Sequence, residues 1–115
     1  PMSTLPGPRI TCKPGVQMAT THPVTLRGLA DLAELWDTIL PQHPFVVTSL
    51  TDGSHLPDSR HYLGLAFDVR IHGVPQAHLE LIVRQFKAAH PGWRVLVESL
   101  AEPREHLHAE WRFLS

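Results

Sequence analysis

Nine histidines stand in a chain of 115 residues. Four of them, His55, His61, His106 and His108, fall in two short segments that also hold acids. The first segment, "SRHYLGLAFD", puts His61 seven residues before Asp68. The second, "EHLHAEW", puts Glu105 three residues before His108 and Glu110 two residues after it. Two imidazoles and a carboxylate suit one Zn2+ ion with three protein ligands and a fourth position for water. His61, Asp68 and His108 would supply that set if their strands were neighbours. Zinc lowers the pKa of its water to about 7, which gives a nucleophile at neutral pH. A carboxylate beside it then takes the proton. Glu105, at a loop-to-strand junction, would lean over the metal without binding it. The same donor set suits other divalent metals. Without a metal, the pattern reads as a solvated polar strand face.

These residues need elements to bring them together. Residues 1–23 hold five prolines and no clear period, and read as an extended arm in which "RITCK" is one short strand. From Thr25 to Leu40 apolar residues recur at helical spacing, with Thr21 or Thr25 as the cap and "LPQHP" as the stop. "FVVTSL" is short and rich in β-branched residues, so it reads as a strand. "TDGSHLPDSR" has loop composition, with a turn role for Asp52. "LAFDVRIH" alternates, with Ala66, Asp68 and Arg70 on one face and Phe67, Val69 and Ile71 on the other. A second helix runs from about Pro75 to about His90 on a stripe of Leu79, Ile82, Val83 and Phe86. "WRVLVES" is a third strand. "HLHAEWRF" is a fourth, with His106, His108, Glu110 and Arg112 opposed to Leu107, Ala109, Trp111 and Phe113. Trp111 reads as core and Cys12 as a small buried apolar residue. The order predicts a single α+β domain over residues 1–115, with a mostly antiparallel sheet of about four strands and two main helices packed on one face.

Net charge is -1 with neutral histidines, so nothing points to nucleic acid or an anionic membrane. The apolar runs are too short to span a bilayer, and no signal peptide is visible. One cysteine permits neither an internal disulfide nor a thiolate metal cluster. A monomer is expected.

Ser59, His61, Gly64, Ala66 and Asp68 fit S-x-H-x-x-G-x-A-x-D. Glu105 and His108 fit the Glu-x-x-His of a later strand, here within His106-x-His108. The chain thereby resembles the zinc D-alanyl-D-alanine carboxypeptidases and D-Ala-D-Ala dipeptidases, whose fold phage endolysins and the hedgehog signalling domain share. The resemblance covers about residues 59–111 and implies a bacterial or phage source. It implies His61, Asp68 and His108 as zinc ligands and Glu105 as general base. It implies His106 as a donor to the scissile carbonyl or to the oxyanion as charge develops there. Ser59 would orient His61, and Glu110 would stand behind a ligand or be an ordinary polar strand residue. Gly64 and Ala66 would be small because a turn and close packing near the metal leave no more room.

Many relatives carry an arginine before the signature that pairs with a substrate carboxylate. Here "VVTSLTDG" holds none, so Arg60 or Arg70 would replace it, with His55 lining the cleft. The expected function is zinc-dependent hydrolysis of peptidoglycan stem peptides. The alternative is a non-catalytic zinc-binding interaction or virion module of the same fold.

Overall fold

The computed structural model describes residues 10–18, 21–51, 60–61, 63–100 and 102–113. Its elements in chain order are β1 (Ile10–Cys12), α1 (Pro23–Ile39), β2 (Phe45–Ser49), β3 (Ala66–Arg70), α2 (Gln76–Ala89), β4 (Trp93–Glu98) and β5 (His106–Trp111). The α+β architecture expected from the sequence is present. Among the described residues the sheet has five strands in the order β1-β2-β3-β5-β4, rather than about four. The additional strand is the arm's β1, which pairs parallel to β2 with Ile10 opposite Phe45. All other pairings are antiparallel.

Parallel strands need a long crossover, and helices supply it. Helix α1 connects β1 to β2. Helix α2 connects β3 to β4, and β5 then inserts antiparallel between those two strands.

Helix α1 begins two residues before the expected Thr25. Pro23 sits in its first turn, where a fixed φ is already helical and no N–H is needed. His22, rather than Thr21 or Thr25, caps it, with Nδ1 accepting from the Val24 amide at 3.1 Å. Thr25 lies inside the helix and is fully buried. The helix ends at Ile39 with Leu40 as its C-cap, before Pro41, and Trp36 Nε1 donates to the His43 carbonyl at 3.0 Å across the following turn.

Pro75 lies just outside α2 as its N-cap, and His90 is the C-cap. Leu79, Ile82 and Phe86 form the buried stripe as the spacing predicts, while Val83, expected with them, is only partly buried at its margin. These side chains join Leu29, Leu32, Ala33 and Trp36 of α1 over Phe67, Val69, Val95, Leu107 and Ala109 of the sheet. Full burial of each large apolar side chain contributes roughly 1.5–3 kcal/mol. Trp93 fills the space between α1 and β4, and an added Cβ at Gly28 would stand 2.3 Å from its ring. Glycine there lets the helix approach the sheet.

Two burial expectations fail. Cys12 is exposed, because every residue of the short edge strand β1 is exposed. Trp111 packs against the core but is only partly buried, since it lies at the end of β5. Among the described residues, no helix is long and apolar enough to cross a membrane.

Candidate metal centre

The helices cover the face bearing Phe67, Val69, Leu107 and Ala109. Strand alternation puts Asp68 and Arg70, and His106, His108 and Glu110, on the other face. Strands β3 and β5 are neighbours, and their register sets Asp68 directly opposite His108 and Arg70 opposite His106. Between Val47 and Ser49 the β2–β3 register shifts, so Ser49 also stands opposite Asp68. A register irregularity of this kind bends a strand and re-aims the side chains beyond it. The chain leaves β2 at Leu50, whose carbonyl lies 2.7 Å from His61 Nδ1.

His61 comes from the turn before β3. Gly64 ends that turn with φ 72, a conformation that side chains oppose. Its amide donates to the His61 carbonyl at 3.0 Å. Its carbonyl accepts from the His22 amide at 3.0 Å and the Thr25 hydroxyl at 2.7 Å. The first turn of α1 thus clamps the segment that carries His61.

Three donor atoms converge. His61 Nε2 lies 3.2 Å from Asp68 Oδ1, and His108 Nδ1 lies 2.8 Å from the same oxygen. The two imidazole rings are 5.1 Å apart between centroids. His61 and Asp68 are buried and His108 nearly so, and each offers one ligand atom within 4.8 Å of the others.

The outer nitrogens decide what the inner ones present. A backbone carbonyl only accepts, so His61 Nδ1 carries the proton that reaches Leu50. In the neutral ring, Nε2 then turns a lone pair toward Asp68. The Nε2 of His108 lies 2.8 Å from Glu110 Oε1, likewise an acceptor. With the proton held there, Nδ1 also turns a lone pair toward Asp68. Two lone pairs and a carboxylate facing one point is the donor arrangement that a divalent cation satisfies.

In the metal-free protein, a proton on His108 Nδ1 takes that role toward Asp68. Burial alone would raise the Asp68 carboxyl, but hydrogen bonds from His108 and His61 override it and hold the group well below the usual carboxylate range. Burial alone would lower the His108 imidazole, but Asp68 and Glu110 push it up to about 9.

The remaining expected residues are spread around this centre. His106 stands beside it, with Nε2 3.8 Å from Asp68 Oδ2. Its ring is fixed by Glu98 Oε1 at 2.9 Å and by the Arg104 carbonyl at 2.8 Å. Glu105 immediately precedes β5, and its Oε2 lies 3.6 Å from His72 Nδ1. Arg70 is exposed at the end of β3. Arg60 reaches instead toward the Arg112 carbonyl at 3.5 Å. His55 and Ser59 lie outside the described residues.

Sequence reasoning missed Glu98, Arg94 and the Leu50 carbonyl. Glu98 faces His106, and Arg94 faces Glu110, only because β4 flanks β5. No family model, curated protein or solved structure matches the chain.

Proposed function

We propose that the chain is a zinc-dependent peptidase acting on peptidoglycan stem peptides or related peptides containing D-amino acids. The observation that carries the metal part is the convergence of His61 Nε2, Asp68 Oδ1 and His108 Nδ1, backed by acceptors on both outer nitrogens. The peptidase part rests on the residues that resemble the D-Ala-D-Ala peptidase signature, above all Glu105 three positions before His108.

Bound zinc supplies Lewis acidity that polarises a carbonyl and makes water nucleophilic near neutral pH. Glu105 takes the proton from the attacking water and hands it to the leaving amine. His106, beside Asp68, donates to the oxygen on which charge develops once its Nε2 releases Glu98, which holds it at 2.9 Å. Arg70, exposed on the same strand as Asp68, receives a substrate carboxylate. Arg60 is less suited to this, since its guanidinium is directed at Arg112.

A second reading, a zinc-binding module without catalysis, draws on one observation. The Glu105 carboxylate lies near His72. Zinc-loaded protein incubated with purified peptidoglycan, with new termini identified by mass spectrometry, separates the two. The peptidase reading expects defined stem-peptide products that vanish in Glu105→Ala while zinc is retained. Zinc-loaded parent protein that releases nothing refutes catalysis on this substrate and leaves the binding module.

A further inference from the structure

Glu110 follows His108 by two residues on β5, so both side chains leave the same face of the sheet. Its Oε1 lies 2.8 Å from His108 Nε2. Its Oε2 lies 3.9 Å from Nη1 of Arg94, the residue directly opposite on β4. The carboxylate is therefore held from two sides. The two ligand histidines differ in this respect. The outer nitrogen of His61 is held by a backbone carbonyl, which no side-chain exchange removes. The outer nitrogen of His108 is held by a side chain.

A neutral imidazole has two nitrogens and one proton. In the neutral ring that a cation requires, Glu110 keeps the one remaining proton of His108 on Nε2 and leaves Nδ1 open toward Asp68 Oδ1, 2.8 Å away. Without that acceptor, the proton can settle on Nδ1 and hydrogen-bond to Asp68. That state closes the donor set against a cation. A carboxylate on the outer nitrogen also makes the imidazole a stronger ligand.

We propose that Glu110 is a positioning residue of the metal centre, which fixes His108 in the tautomer that ligates through Nδ1 and thereby sets the affinity for a divalent cation. The proposal rests on the metal reading of His61, Asp68 and His108, and it is independent of peptidase activity.

Zinc affinity is measured by chelator competition for the metal-stripped parent, Glu110→Leu and Glu110→Gln, alongside thermal unfolding of the metal-free forms. Glu110→Leu is expected to lose roughly 10–100-fold in affinity. Glu110→Gln keeps an amide oxygen that accepts from Nε2, so it recovers most of that loss. Nitrogen-15 NMR of the zinc-loaded parent is expected to show His108 protonated on Nε2 and ligating through Nδ1. A purely structural contact would shift the unfolding temperature without fixing that signature. Zinc binding by Glu110→Leu within about threefold of the parent, less than the loss of a ligand's outer hydrogen bond should cause, overturns the proposal and leaves the metal reading standing. Ligation of the parent's zinc through His108 Nε2 does the same, and this readout needs no variant to fold. A parent that binds no zinc overturns the metal reading and the proposal with it.

Discussion

The hydroxyl of Thr25 donates to the carbonyl of Gly64 across 2.7 Å, fully buried, and ties the first turn of α1 to the turn that carries His61. The two residues are 39 positions apart in the chain. The contact gives a helix on one side of the sheet a hold on a candidate ligand whose imidazole reaches the other side.

Replacing Thr25 by Val keeps the shape and deletes the donor. The Gly64 carbonyl retains the His22 amide. The expected cost is about 1–2 kcal/mol in denaturant unfolding, the range for a lost buried hydrogen bond. Zinc affinity is expected to fall with it, because the His61 segment loses an anchor. Unchanged affinity in a destabilised variant would show that the clamp serves the fold alone.

The metal reading links metal binding to stability through the buried triad. Adding zinc to the metal-stripped protein is expected to bind one equivalent and raise the unfolding temperature, since a ligand that binds only the folded state stabilises it. His61→Ala is expected to lose both effects. Elemental analysis and calorimetry measure the two together. A parent protein whose unfolding temperature ignores zinc and chelator alike refutes the centre.

Stability of the metal-free protein is expected to depend on pH in a defined direction. His108 is pushed up to about 9 in the fold from an ordinary 6.5, so its contribution is complete below about pH 6.5 and is lost as pH rises to about 9. Asp68 is held below its ordinary 3.8, so its contribution is complete above that pH and is lost as pH falls further. Denaturant midpoints in chelator should therefore decline across the interval between 6.5 and 9. Zinc affinity should rise across the same interval, because the ligand nitrogen must give up its proton. A flat denaturation midpoint there contradicts the assigned coupling of His108 with Asp68 and Glu110.

Gly28→Ala tests the seating of α1 on the sheet. The added methyl would stand 2.3 Å from the Trp93 ring, so the ring or the helix must shift. Overpacking of this kind costs about 1–3 kcal/mol. Thermal unfolding measures it, and one equivalent of zinc should still bind to the folded fraction. A variant as stable as the parent would mean that Trp93 moves without strain.

The parts of the site legible in the sequence are those governed by strict alternation. Asp68 among apolar neighbours and His108 two residues from His106 announce strand faces, and residue types announce the donor set. What alternation does not carry is which strands adjoin. The roles of Glu98 and Arg94 depend on β4 lying against β5, a tertiary fact. Strand β1 is legible as a short β-prone stretch, but its parallel pairing and its exposure, including that of Cys12, depend on its place at the sheet edge. Residue preference alone starts α1 too late, because threonine is a good cap in general, whereas Pro23 pre-sets the first turn two residues earlier. The hydroxyl of Thr25 is then available for Gly64.

Strand β5 comes after β4 in the chain but lies between β3 and β4 in the sheet. Its His108 must find Asp68, 40 residues upstream, through a gap that β3 and β4 leave open between them. Such distant pairings are slow to form, because the loop-closure entropy is lost before the contacts are gained. On the proposed metal reading, uptake of a divalent cation would therefore act as a clock for folding: the three donors meet only after β5 has threaded into place, so the rate of uptake during refolding would time that insertion.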